Sequence, residues 1–191
     1  MTKLQAALLD LAAFLDERRL RYMVIGGFAN LHWGLERFTR DIDIIVEVAE
    51  QALPGLLDDL GRMFRFTTDD PLEFARRNRL VRVQTQTAVD ADLILASLPY
   101  DLSALRRAVP VAIGDRTVMI SSAEDLIIHK LTSERLQDAA DAEGIVVRQA
   151  GRLDLEYLRP RVKELALGLE RPEIEAFFSR LLETVDRGRH G

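Results

Sequence analysis

An apolar segment, a pair of glycines and a pair of aspartates follow one another in this chain and constrain its fold more than any other feature. Tyr22–Ile25 leads into Gly26-Gly27, and Asp41-Ile42-Asp43-Ile44-Ile45 follows after residues 28–40. Because side chains alternate between the faces of a strand, Asp41 and Asp43 would share one face, about 6–7 Å apart, with the isoleucines in the core. The pattern predicts two carboxylates on one edge of a sheet, beside a glycine turn.

These residue types suit a hard cation and a phosphate. Mg²⁺ commonly takes one or two carboxylates and completes its shell with waters and substrate phosphates. A strand that ends in Gly-Gly and opens a helix lets backbone N–H groups approach a phosphate closely. The alternative is that Asp41 and Asp43 are solvated edge charges or helix caps. Their place at the start of a strand that looks buried on both faces argues against that alternative.

The order apolar strand, Gly-Gly, short helix and Asp-x-Asp resembles the signature of the nucleotidyltransferase superfamily. The string Arg37-Phe38-Thr39-Arg40-Asp41-Ile42-Asp43 is similar to the branch that contains the AbiEii-type and MenT-like toxins and their uncharacterised relatives. The resemblance covers about residues 20–160. It implies an α+β fold, with a nucleotidyltransferase-like mixed sheet flanked by helices and followed by a C-terminal helical bundle.

Hydrophobic periodicity divides the chain into two regions. Strands are predicted at 22–25, 42–47, 64–67, 80–85 and 89–95, a hairpin at 109–120, and helices at 3–19, 28–35, 49–63, 71–74 and 100–107. From Ser121 onward the pattern is helical throughout. We expect residues 1–120 to form the nucleotidyltransferase-like core and residues 121–191 a helical C-terminal region packed on it.

A third acid is expected on the strand next to Asp-x-Asp. Asp90 and Asp92 lie on the segment Val89–Leu95, and alternation puts both on the same face, so periodicity does not choose between them. The resemblance favours Asp92, because the acid in related proteins directly precedes an apolar run. Asp41, Asp43 and Asp92 are therefore the candidate catalytic and metal-binding residues.

The resemblance extends to the helical region through the segment Glu124–Leu131. In that branch a lysine on this helix and a downstream aspartate line the active site, which implies Lys130 and Asp141 here, with Asp138 as the rival acid. Lys130 would pair with nucleotide phosphates and stabilise the leaving pyrophosphate. The candidate nucleotide-binding residues are Gly26, Gly27, Arg37, Thr39, Arg40 and Lys130.

The reaction implied is the transfer of a nucleoside monophosphate from an NTP to an acceptor hydroxyl, with release of pyrophosphate. Two Mg²⁺ ions would be held by the three aspartates. The acceptor is left open between a tRNA, a protein and a small molecule, and the resemblance includes toxins paired with an antitoxin protein. The alternative is a non-catalytic member of the fold that acts as a binding or regulatory partner.

Composition sets wider bounds. The 191 residues contain no cysteine and three histidines, which excludes disulfides and disfavours a zinc site. The net charge of −5 does not favour bulk attraction to nucleic acid. No segment approaches the roughly 20 apolar residues of a membrane span, so we expect a cytoplasmic protein without a membrane partner.

Overall fold

The structure, a computed structural model, describes residues 1–189 and the side chains of residues 1–185. Residues 1–189 form nine α-helices and seven strands. The strands are β1 (Tyr22–Ile25), β2 (Asp41–Val46), β3 (Arg65–Phe66), β4 (Leu80–Gln84), β5 (Asp90–Leu95), β6 (Val109–Ile113) and β7 (Arg116–Ile120). The helices are α1 (Lys3–Glu17), α2 (Gly26–Trp33), α3 (Leu53–Met63), α4 (Pro71–Asn78), α5 (Pro99–Arg107), α6 (Ala123–Thr132), α7 (Leu136–Arg148), α8 (Leu155–Gly168) and α9 (Glu173–Arg189).

All seven strands of the described residues belong to one mixed sheet, in the order β3-β4-β5-β2-β1-β7-β6. The pairs β2–β5 and β1–β7 are parallel, and the remaining pairs are antiparallel. The predicted hairpin is present as β6 and β7, and Gly114 supplies the positive φ, +64°, that its turn requires.

The chain divides into two compact units, which we call the sheet unit (Met1–Ala29 and Phe38–Ser121) and the helical unit (Asn30–Arg37 and the chain from Ser122 onward). In the sheet unit, α1 contacts β7 and β2, α5 contacts β2, and α4 contacts β4. The apolar stripe of α1 supplies much of the core, because Leu8, Leu11, Phe14 and Leu15 are fully buried. Thr2 begins α1 with a capping box.

The helical unit is built from α6 to α9 and the segment 30–37. Ser122 caps α6, and its hydroxyl donates to Asp125 Oδ2 at 2.8 Å. The Tyr157 hydroxyl of α8 donates to Asp125 Oδ1 at 2.6 Å, which satisfies this buried carboxylate from a second helix. The segment 30–37 is held by Gln149, whose side-chain amide donates to the Trp33 carbonyl at 2.9 Å.

The mixed sheet with flanking helices and the C-terminal helices, both predicted from the sequence, are present. Several helix boundaries were predicted wrongly: α1 ends at Glu17 rather than Arg19, and α2 ends at Trp33 rather than Leu35. Helix α2 starts at Gly26 rather than Phe28, and α4 continues to Asn78 rather than ending at Phe74, because Arg79 supplies the left-handed residue that ends it. The predicted helix 49–63 is a 3₁₀ turn, Glu50–Ala52, followed by α3.

The division of the chain between residues 120 and 121 stays a prediction. Residues 190 and 191 of the predicted helical region lie outside the described residues. Within residues 1–189, no helix is long and apolar enough to cross a membrane.

Candidate active site

Two neighbouring strands bring four aspartates onto one face of the sheet. β2 and β5 run parallel, with Asp41 paired to Asp90 and Asp43 paired to Asp92. Paired residues project to the same side of a sheet, and so do residues two apart on one strand. The intervening residues, among them the fully buried Ile42, face the core. The result is a two-by-two patch of carboxylates on an otherwise apolar strand pair.

The start of α2 lies against one of these carboxylates. Antiparallel pairing of β1 with β2 places Ile25 opposite Asp43, and α2 begins at the next residue, Gly26. Gly26 has a φ of +64°. A Cβ built on Gly26 would overlap Asp43 Oδ2. The backbone at the start of α2 and the Asp43 side chain are therefore in direct contact, at a position where any larger residue would collide with the carboxylate.

Asp92 has a cationic neighbour on β4. Arg82 lies opposite Asp92 in the sheet, and Arg82 Nε is 3.3 Å from Asp92 Oδ1. Burial raises the pKa of Asp92 above its ordinary value; the Arg82 guanidinium lowers it, and the charges of Asp41 and Asp90 raise it again. The carboxylates are therefore close enough to repel one another, and a bound cation would relieve that repulsion.

The donor set fits a hard cation in part. Among residues 1–185, no three His, Cys, Asp or Glu side chains are grouped as a complete metal site. Mg²⁺ seldom needs one, because it takes one or two carboxylates and completes its shell with waters and phosphates. The four aspartates lie on one face, offer only oxygen ligands and repel one another. They can therefore supply the one or two carboxylates that Mg²⁺ takes from a protein.

Asp90 has different surroundings from Asp92. Gln84 Nε2 donates to Asp90 Oδ1 at 2.8 Å, and Gln84 Oε1 accepts from Arg65 Nη2 at 2.6 Å. Asp90 is exposed, whereas Asp92 is half-buried. Asp90 thus has an amide partner and Asp92 a guanidinium partner. The choice of Asp92 as the third ligand stays a prediction.

Phe38, Thr39 and Arg40 directly precede β2 and its first carboxylate, Asp41. Thr39 Oγ1 donates to Asp41 Oδ1 at 3.3 Å. The guanidinium carbon of Arg40 lies 5.3 Å from the ring centroid of Phe38, within cation–π range. Thr39 and Arg40 were predicted to bind nucleotide, and in the structure one contacts Asp41 and the other an aromatic ring.

In the helical unit, Lys130 lies in a buried ion network. Lys130 Nζ is 2.6 Å from Asp138 Oδ1 and 2.8 Å from Asp141 Oδ2, and the three side chains are only 6%, 4% and 3% exposed. Arg37 binds Asp141 with two N–H groups, Nε to Oδ1 at 2.8 Å and Nη2 to Oδ2 at 2.9 Å. Arg135 Nε lies 2.7 Å from Asp138 Oδ2. Two carboxylates thus share three cations.

The network keeps both carboxylates ionised. Burial alone would raise the pKa of Asp138, but hydrogen bonds from Lys130 and Ser133 and nearby positive charges outweigh it, so this pKa is lowered. The pKa of Asp141 is lowered in the same way, with burial again outweighed, chiefly by hydrogen bonds from Arg37 and Lys130. The sequence left Asp138 and Asp141 as alternatives, and both contact Lys130. The catalytic roles predicted for Lys130 and Asp141 stay predictions.

Sequence reasoning missed three of these contacts: Arg82 with Asp92, Gln84 with Asp90, and Arg37 with Asp141. A signal for the first two existed. Arg82 and Gln84 alternate with Val81 and Val83 on a strand predicted to be half-exposed. The third contact joins residues 104 positions apart and has no local signal.

The fold is that of the nucleotidyltransferases. The structure is similar to the lincosamide antibiotic adenylyltransferase LnuA, solved with lincomycin bound, with a TM-score of 0.53 and 14% identity over 73% of this chain and 94% of that one. It is also similar to an antigenic nucleotidyltransferase-like protein from Paracoccidioides brasiliensis, with a TM-score of 0.56 and 16% identity over 93% and 92% of the two chains. At these identities the likeness shows the fold alone.

The family follows from the sequence itself. Residues 2–180 match the family described as nucleotidyltransferase of unknown function (DUF6036), and the chain belongs to it. No match was found among curated proteins. The superfamily and the fold class predicted from the motifs are confirmed. The narrower branch of AbiEii-type and MenT-like toxins stays a prediction.

Proposed function

We propose that this protein is a Mg²⁺-dependent enzyme that moves a nucleoside monophosphate from an NTP to an acceptor hydroxyl and releases pyrophosphate. The carrying observation is the registered carboxylate patch, Asp41 with Asp90 and Asp43 with Asp92, in contact with the start of α2 at Gly26. Carboxylates beside the start of a helix suit a metal-nucleotide substrate better than a passive surface.

In this proposal Asp41, Asp43 and Asp92 would hold the two Mg²⁺ ions, and Asp92 would also accept the proton of the acceptor hydroxyl. When bound, Mg²⁺ supplies activation of the hydroxyl and neutralises charge on the transferring phosphate. The backbone of Gly26 and Gly27 seats the β- and γ-phosphates. The side chains mainly position charges, as in other phosphoryl transfers.

Lys130 and Asp141 are proposed site residues on the strength of the branch resemblance. An ammonium group has three N–H donors. Lys130 directs its charge to Asp138 and Asp141, so its proposed pairing with nucleotide phosphates would compete with these two carboxylates. Asp141 then acts by holding Lys130 and Arg37 in place, a positioning role.

The acceptor is proposed at the level of class only: a tRNA, a protein hydroxyl or a small molecule. LnuA was solved with lincomycin bound, which is a reason to include lincosamides among the acceptors tested. A toxin role with an antitoxin partner is proposed from the Arg37-to-Asp43 string, and a cytoplasmic location from the composition.

Calorimetric titration of each of the four NTPs, with Mg²⁺ and with EDTA, tests the proposal. We expect Mg²⁺-dependent binding by the wild type and its loss in Asp41→Asn/Asp43→Asn. Asp115→Asn, which removes an exposed acid at the hairpin turn, is the control and should bind as the wild type does. Absence of binding by the wild type would contradict the proposal and favour the non-catalytic partner.

A further inference from the structure

Phe38 exposes its ring to solvent close to the carboxylate patch. Its side chain is 77% exposed. Single exposed apolar residues are ordinary, and Leu98 of the same unit is 59% exposed. What distinguishes Phe38 is its neighbours. Arg40 lies 5.3 Å from its ring centroid, and Thr39 between them donates a hydrogen bond to Asp41.

The position of Phe38 is set by the chain. Two residues, Thr39 and Arg40, lie between Phe38 and Asp41, so three Cα–Cα steps place their Cα atoms at most about 11 Å apart. A nucleobase is separated from its α-phosphate by one ribose. A base on the Phe38 ring would therefore leave its α-phosphate within reach of the Asp41 and Asp43 carboxylates.

The order of groups along residues 38–43, which lead into and begin β2, matches the order of groups in a nucleotide. Phe38 and Arg40 precede Asp41, Asp43 follows, and Gly26 lies against Asp43. Base, ribose, α-phosphate and terminal phosphates would follow the same direction, from the aromatic ring to the glycine backbone. No acceptor position has to be assumed for this match.

We propose that Phe38 is the stacking surface for the nucleobase of the NTP, with the Arg40 guanidinium orienting the ring and adding a second flat cationic group for the base. This rests on the proposed function. Aromatic rings and Arg planes are common partners for unpaired bases. Stacking accepts every base, so Phe38 contributes affinity for nucleotides and does not select one.

Inorganic tripolyphosphate carries the phosphates of an NTP without its base, so it measures the binding of the phosphates alone. Calorimetry with Mg²⁺ compares binding of each NTP and of tripolyphosphate to wild type, Phe38→Ala, Phe38→Leu and Phe38→Tyr. We expect Phe38→Ala and Phe38→Leu to bind NTPs about tenfold more weakly, with tripolyphosphate affinity unchanged. Phe38→Tyr keeps the ring and should bind NTPs like the wild type. Leu98→Ala is the control for truncating an exposed apolar side chain.

The outcomes distinguish this proposal from the proposed function. NTP affinity that stays within twofold of wild type in Phe38→Ala would overturn the stacking role alone. Equal losses for NTP and tripolyphosphate, or a loss in Phe38→Tyr as large as in Phe38→Ala, would also overturn it, because the ring would then act on the fold or the phosphates. Failure of the wild type to bind either ligand would contradict both proposals.

Discussion

The carboxylate of Asp43 lies against Gly26 so closely that a Cβ at position 26 would overlap its Oδ2. Gly26 also has a φ of +64°, in the left-handed region that costs other L-residues about 1–2 kcal/mol. Glycine at this position therefore lets α2 begin directly after β1 and leaves space for the Asp43 side chain.

We expect Gly26→Ala to lower the free energy of unfolding and to displace Asp43, with loss of Mg²⁺-dependent NTP binding. Gly114→Ala is the matched control, because Gly114 also has a φ of +64° but has open space around its Cβ position. The control should lose only the conformational term, about 1–2 kcal/mol. Urea unfolding followed by circular dichroism measures the free energy of unfolding of both variants. Equal losses of stability in the two variants would show that the Asp43 side chain moves away from the added methyl group at no cost.

Arg82 should compete with any cation that binds at Asp92. Because Arg82 Nε lies 3.3 Å from the carboxylate and half of its side chain is exposed, the pair resembles a surface ion pair of modest strength. We expect Arg82→Gln to bind Mg²⁺ about two- to fivefold more tightly, within the range of such a pair. Titration of Mg²⁺ alone measures this. Arg77→Gln removes the same charge from α4 and should change the affinity less.

The pattern of residues was enough to predict the shared face of Asp41 and Asp43, because strand alternation is a local property. It was not enough to predict which acids of β5 lie opposite them, because alternation fixes the face and leaves the register open. The parallel pairing of β2 with β5 sets this register, which places Asp90 beside Asp41 and Asp92 beside Asp43.

The ion network was less accessible to sequence reasoning. Lys130, Asp138 and Asp141 are near in sequence, and Asp138 and Asp141 were treated as alternatives, whereas both contact Lys130. The participation of Arg37 depends on how the segment 30–37 lies within the helical unit, which no local pattern encodes. Long-range ion pairs of this kind follow from tertiary structure alone.

The two acids of β5 should differ in their effect on transfer. We expect Asp92→Asn to reduce pyrophosphate release by about 100-fold or more, because loss of a ligand should exceed the 10–100-fold cost of losing an outer partner. Asp90→Asn keeps an amide that can still bond to Gln84 and should retain most of the activity. The rates of pyrophosphate release are measured with each NTP and with the proposed acceptors: tRNA, protein and small molecules such as lincosamides. A larger loss of activity in Asp90→Asn than in Asp92→Asn would show that Asp90, and not Asp92, is the third ligand.

Acid should destabilise the helical unit through Asp138 and Asp141. Both pKa values are lowered from the ordinary 3.8, so below about pH 5 the unfolded chain binds more protons than the folded one. The stability contributed by the network is complete above this range and is lost as the pH falls through 3.8 and below. We expect the free energy of unfolding, from urea titrations between pH 6 and pH 3, to fall more steeply in the wild type and in Asp115→Asn than in Asp138→Asn or Asp141→Asn. Equal slopes in all four proteins would contradict the prediction, even if the Asn variants are less stable at pH 6.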